Sequence, residues 1–218
     1  MNVLLINSTC GAGSTGRICA GIADRLTSEG NEVKIAFGRG AVPDATKDYA
    51  LRIGSDFSVK KHALLSRLTD GSGLGSVSET KKFLEEADGF DPGLLWLHNI
   101  HGYYINYELL FGWIKSRPEI KVRWTLHDCW AFTGHCAYFS DAGCEKWKTG
   151  CMKCPNRKEY PSSLTDGSRR NYERKKAAVT GVKGLELIVP SEWLAALVRQ
   201  SFLACYPLTV VPNSVDET

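Results

Sequence analysis

The chain has little net charge. Its 218 residues carry 27 Lys and Arg against 24 Asp and Glu, and a balance of +3 is too weak to require a nucleic-acid partner. No apolar run approaches the roughly 18 residues of a membrane span. The opening Met1-Asn2-Val3-Leu4-Leu5 has no basic stretch and turns polar at Asn7, unlike a secretory leader. A soluble, cytoplasmic protein is the expectation. A disordered or collagen-like chain is excluded, because 43% hydrophobic and 23% charged residues are ordinary globular values. The length suffices for one or two buried cores.

What is present is an alternation of strands and helices. Short aliphatic runs at Val3–Ile6, Val33–Phe37, Leu94–Leu97, Val122–Leu126, Leu185–Val189 and Leu208–Val211 read as strands. Between them, Ile18, Ile22 and Leu26 recur at helical spacing with Gly30 as a stop. Further helices are expected over residues 59–69, 79–88, 109–115, 166–180 and 192–201, while 38–58 reads as irregular. This pattern predicts an α/β fold, a Rossmann-like parallel sheet with helices on both faces and a Cys-rich insert at about 129–160. In such sheets ligands bind at the carboxyl ends of the strands.

Three of those ends carry chemistry. The first strand is followed by Gly11-Ala12-Gly13-Ser14-Thr15-Gly16, a G-x-G-x-x-G between strand and helix. Glycines let the backbone approach a ligand, and the helix N-terminus offers unpaired N–H groups to an anion, with Arg17 beside them. Gly13, Ser14, Gly16 and Arg17 are therefore expected to contact a phosphate or a sugar. The second strand lacks the acidic residue that would hold an NAD ribose and has Gly38-Arg39-Gly40 instead, so NAD is not expected, and NADP stays as an alternative. The expected strand Leu94–Leu97 ends in His98-Asn99-Ile100-His101-Gly102-Tyr103-Tyr104 and the next in Thr125-Leu126-His127-Asp128. Three of the five histidines and a carboxylate thus gather at two strand ends.

Five of the eight cysteines lie between 129 and 154. In a reducing compartment such a cluster favours metal or chemistry over disulfides. Cys136, Cys144, Cys151 and Cys154 could hold a structural zinc, the last two in C-x-x-C spacing. An insert rich in Gly and polar residues would draw much of its order from the metal. Disulfides or free thiols are the alternatives, and Cys129 reads as a packing residue.

Gly13-Ser14-Thr15-Gly16-Arg17, Leu97 to Tyr104, Thr125-Leu126-His127-Asp128-Cys129-Trp130-Ala131-Phe132-Thr133-Gly134 and Trp147 to Pro155 together resemble the bacterial polysaccharide glycosyltransferases of family 4. These are GT-B enzymes related to those of colanic-acid and capsule synthesis. Val189 to Leu194 and Val211 to Asp216 fit the same family. The resemblance implies that residues 1–211 are the acceptor-side N-terminal half of a GT-B fold. Residues 212–218 would then lead toward a C-terminal nucleotide-sugar domain outside this chain. It implies retaining transfer of a sugar from a nucleotide-sugar co-substrate to a glycan or lipid-linked acceptor. His98, His127 and Asp128 would be catalytic, and His101 and Tyr103 would join the binding residues. The chain departs from the family pattern at Trp96, where a His is usual, and at Pro92-Gly93, His135-Cys136-Ala137 and Asn213-Ser214. The basic helix at 166–180 reads as a solvated face, with contact to anionic lipid at the inner leaflet as the alternative. A zinc-stapled module that binds a glycan or partner without catalysis is a further reading.

Overall fold

The computed structural model describes residues 1–213. Seven strands form one sheet: β1 (Asn2–Ile6), β2 (Glu32–Phe37), β3 (Ala50–Arg52), β4 (Leu94–Leu97), β5 (Lys121–Thr125), β6 (Leu185–Val189) and β7 (Leu208–Val210). Their order across the sheet is β3-β2-β1-β4-β5-β6-β7, and every neighbouring pair is parallel. Helices α1 (Gly13–Ser28), α2 (Asp56–Thr69), α3 (Val77–Phe90), α4 (Tyr107–Lys115), α5 (Ser168–Val179) and α6 (Glu192–Val198) complete the Rossmann-like α/β fold.

Strand β1 explains the layering. Val3, Leu4, Leu5 and Ile6 are all fully buried, as the middle of a sheet covered on both faces requires. Successive side chains point to opposite faces. Val3 and Leu5 pack with Cys19 and Ala23 of α1, while Leu4 and Ile6 join the larger core containing Phe83, Leu110 and Phe111 of α3 and α4. The chain leaves β1 for one side of the sheet and returns through β4 on the other, so strand order reverses between them. The crevice expected at such a switch point opens there.

The structure adds one strand to the expected set. β3 pairs with β2 through Ala50, Leu51 and Arg52, inside the stretch read as irregular. A three-residue edge strand has no alternation long enough to read. Helix α2 begins at Asp56, ahead of the expected 59, because Ser55 accepts from the Ser58 N–H while the Ser58 hydroxyl accepts from the Ser55 N–H. Between β5 and α5 the described chain has only the short 3₁₀ turns Trp130–Phe132 and Lys146–Lys148. This segment packs into the larger core that also contains Leu4, Ile6 and Phe111. Phe132, Phe139 and Trp147 are buried, with the last two rings stacked at 5.0 Å. Among the described residues no helix is long and apolar enough to cross a membrane. Of the terminal motif, Ser214, Val215 and Asp216 lie outside the described residues.

Candidate functional site

The first wall of the crevice is the turn from β1 into α1. Gly11 and Gly13 both adopt positive φ, near 70°, which L side chains resist. No side chain caps the first turn of α1, and no acidic residue sits in it, so its N–H groups stay open to an anion. Gly13, Ser14 and Arg17 are exposed there. Gly16 is not: a Cβ on it would lie 2.6 Å from the Thr9 Oγ1, so its part is to let the helix approach the loop. Of the four turn residues expected to bind, three face solvent and one is packing.

Asn7, fully buried at the end of β1, joins this turn to the next wall. Its amide donates to the Thr9 carbonyl at 2.8 Å, and its Oδ1 accepts from the Asn99 N–H at 3.3 Å. One side chain thereby ties the loop after β1 to the loop after β4.

At the ends of β4 and β5 the histidines form two pairs. His98 Nδ1 lies 3.0 Å from His127 Nε2, with the rings stacked at 5.3 Å. The His98 backbone is pinned by its N–H donating to the Ile6 carbonyl and by the Trp124 indole donating to its own carbonyl. Its Nε2 is buried without a partner. Burial, and then His127, push the His98 pKa down to about 3, so this ring is neutral at physiological pH. Burial also lowers His127, against the pull of Asp128. In the second pair, His101 Nε2 contacts Asp128 Oδ2 at 2.8 Å, and His101 Nδ1 contacts the Tyr160 hydroxyl at 3.2 Å. Asp128 Oδ1 accepts from the Trp130 N–H at 2.8 Å. Burial alone would raise the Asp128 carboxyl, but His101 and this N–H outweigh it and hold the group below the usual carboxylate range. Trp96, at the departure from the family pattern, stacks over His98 at 6.0 Å and donates to Thr125 Oγ1.

Two cavities meet at Asp128. A small one of about 10 Å³ is lined by His98, His101, His127 and Asp128. A larger one of about 650 Å³ runs from Asp128 along Tyr138, Asp141, Asn156, Glu159 and Tyr160, a size that suits a sugar-sized ligand. Tyr103, held at a φ of 71°, sits edge-on at 6.3 Å to Tyr160, which lines this space.

The four cysteines expected to bind metal converge. Cys136, Cys144, Cys151 and Cys154 line one cavity of about 10 Å³ together with His135. All eight cysteines are free thiols, so the disulfide alternatives are not formed. Among the described residues, however, no group of three or more His, Cys, Asp or Glu is placed to hold a metal ion. What visibly orders this region is a buried polar network. His135 Nδ1 pairs with Asp70 Oδ1 at 2.6 Å, both side chains almost wholly buried. Asp70 also accepts from the Gly167 N–H at 2.7 Å. Burial opposes charge on His135, but Asp70 prevails and raises its pKa. Lys175 lies 3.6 Å over the Trp130 ring and donates to the Trp130 carbonyl at 2.6 Å. Burial lowers its pKa to about 7.

Lys175 belongs to α5, the basic helix that reads from the sequence as a solvated face. The other cations of α5 have partners too, except the exposed Lys176, which has none among the described residues. Arg174 pairs with Glu108, Arg170 donates to the Thr69 carbonyl at 3.0 Å, and Arg169 pairs with Glu173.

Sequence reasoning missed Asn7, Tyr138, Tyr160 and Arg39. The Arg39 side chain crosses Gly102, where a Cβ would lie 3.2 Å from its Nη1. A polar residue directly after four buried aliphatic ones was the available signal for Asn7. The tyrosines carried none, since their partners lie far away in sequence.

A Rossmann-like sheet with neutral histidines, a buried carboxylate and an open helix N-terminus at one edge is a frame for handling anionic and polyhydroxyl ligands. No family model matches the chain. The chain is similar to a glycosyltransferase of polysaccharide biosynthesis. That relative is the candidate colanic acid biosynthesis glycosyl transferase WcaC of Escherichia coli (strain K12), 27% identical over 210 residues. The match takes in 89% of this chain and 50% of WcaC, so the chain spans about half the length of the curated relative it matches. The resemblance carried by the motifs is thus supported over most of the chain.

Proposed function

We propose that this chain is the acceptor-side part of a retaining glycosyltransferase that moves a sugar from a nucleotide-sugar to a growing polysaccharide or glycolipid. The observation that carries the reading is the meeting of the His98–His127 and His101–Asp128 pairs at the crevice. The similarity to WcaC supports the reaction class. The second, donor-holding half that this reading requires is taken from the family resemblance.

In the transfer, the bond from the anomeric carbon to the diphosphate oxygen breaks and a bond to the acceptor oxygen forms. The leaving diphosphate takes the electron pair, and the acceptor hydroxyl gives up a proton. The open N–H groups at Gly13 and Ser14, with Arg17, would stabilise the departing charge electrostatically. Neutral His98, whose one unused nitrogen is Nε2, would hydrogen-bond the sugar beside the reacting carbon. Asp128, kept ionised and oriented by His101 and the Trp130 N–H, would orient the acceptor hydroxyl or receive its proton. Tyr103, Tyr138 and Tyr160 would line the acceptor's path.

The decisive measurement is transfer of labelled sugar by this chain joined to its donor-binding half. His98→Ala is expected to reduce turnover about 10²-fold or more. Near wild-type turnover would remove His98 from the mechanism.

Zinc at Cys136, Cys144, Cys151 and Cys154 belongs to this proposal as a structural ion only, since four thiolates leave no open position for catalysis. Their shared cavity supports it, and the lack of an assembled centre weighs against it. Metal analysis of protein purified without added zinc checks it, and under about 0.2 zinc per chain rejects it.

A further inference from the structure

The most exposed apolar side chains of the molecule are concentrated on α2. Phe57, Leu64, Leu65 and Leu68 are 77%, 60%, 46% and 49% exposed. At 100° per residue, positions 57, 61, 64, 65 and 68 form a single outward stripe, while Ser58, His62 and Ser66 take the buried side. The usual amphipathic arrangement is therefore largely reversed: the leucines face water, while two serines and a histidine face the fold beside the half-buried Val59. Val77, 47% exposed, stands across a groove of about 420 Å³ from the stripe, and Leu164 extends the patch at the helix C-terminus. Leu164 is fixed there by its N–H, which donates to the Arg67 carbonyl at 2.7 Å.

Charge around the patch is mostly of one sign. Lys60, Lys61 and Arg67 are exposed on α2 and make no ion pair among the described residues. Of the neighbouring acids, Asp56 is paired with Arg52 and Asp70 with His135, which leaves Glu79 at the groove wall. Protruding leucines and a phenylalanine flanked by long, unpaired cations match an anionic membrane surface. The apolar tips enter the headgroup boundary while lysine and arginine stems reach back to phosphates.

We infer that α2, and not the basic helix α5, is the element by which this protein docks on anionic phospholipid. The inference deepens the proposed function, which needs a lipid-linked acceptor to reach the crevice, and the geometry is favourable. His62, in the wall of the same groove, meets Tyr103 edge-on at 5.8 Å. Tyr103 in turn meets Tyr160, so two aromatic contacts link the docking face to the cavity that begins at Asp128.

The test is flotation of the purified chain with phosphatidylcholine vesicles, with and without phosphatidylglycerol. Binding is expected with phosphatidylglycerol and is expected to weaken tenfold or more at high salt. The triple variant Leu64→Ser, Leu65→Ser, Leu68→Ser and the double variant Lys60→Glu, Lys61→Glu should each lose at least tenfold in partition. Their unfolding midpoints should stay near the parent value, because these side chains are exposed. Absence of flotation on either vesicle, or flotation unchanged in both variants, would overturn the inference. So would a dimer abolished by the leucine variant in the absence of vesicle binding, which would make the face a contact between copies. Sugar transfer to a water-soluble acceptor, measured with the chain joined to its donor-binding half, should survive the leucine variant. Flotation of the chain with no transfer by that joined protein would sink the functional reading and leave the docking face standing.

Discussion

The two walls of the crevice treat their polar groups in opposite ways. At the start of α1 the useful groups are main-chain N–H donors, left open and uncapped in a turn built from glycine. From the ends of β4 and β5 into the cysteine-containing segment, the useful groups are side chains, buried and paired with one another. A site made of backbone depends on conformation and tolerates side-chain change. A site made of buried imidazole and carboxylate depends on the identity of each partner. Substitutions should therefore divide sharply between the walls.

The largest effect is expected at Asp70. Asp70→Ala leaves His135 buried without its counter-charge and should cost about 3–5 kcal/mol of stability, read from denaturant unfolding. A loss under about 1 kcal/mol would show that the network is incidental and would erase half of the contrast.

The pH dependence comes next. His98 binds a proton at about 6.5 when unfolded but only near 3 when folded. Below about pH 6.5 the unfolded chain takes up a proton that the folded chain refuses, so stability falls as pH falls. The slope approaches about 1.4 kcal/mol per pH unit for such a group. Burial lowers His62, to about 4, and His127 in the same direction. His98→Gln should flatten the dependence between pH 6 and pH 5 by about one histidine's share. An unchanged slope would mean that His98 is protonated in the fold.

On the open wall, Gly16→Ala must displace Thr9 and should cost about 1–3 kcal/mol in thermal or denaturant unfolding. Ser14→Ala should do least. Its side chain caps nothing, so stability should change by less than about 0.5 kcal/mol. Transfer activity should change less than about twofold, because the donors there are main-chain. A large loss on Ser14→Ala would break the distinction between the walls.

Legibility in the sequence followed the same division. Leu94–Leu97 and Leu185–Val189 have the boundaries that their aliphatic runs predict, and the glycine turn falls where its spacing places it. Strand-end position brought His98, His101, His127 and Asp128 together, as the doubly wound rule implies. Pairing was another matter. That His98 meets His127, and His101 meets Asp128 and Tyr160, depends on contacts between residues 27 to 59 positions apart. No local pattern encodes such distances. Composition also gave little sign, across 129–160, that Phe132, Phe139 and Trp147 pack together in the larger core. The same applies to α5, whose run of cations reads as a solvated face until tertiary partners claim most of it.

The larger cavity has a consequence for how such a protein could diversify. Asn7, His98 and His127 sit at the ends of central strands, locked to one another across the sheet. Tyr138, Asp141, Asn156, Glu159 and Tyr160 all come from one segment that contributes no strand. Under the proposed function, chemistry and recognition would thus be carried on separate pieces of chain. Exchanging residues 137–160 between homologous proteins would change which molecule is received while the histidine pairs stayed in register, a graft that the sheet itself need never notice.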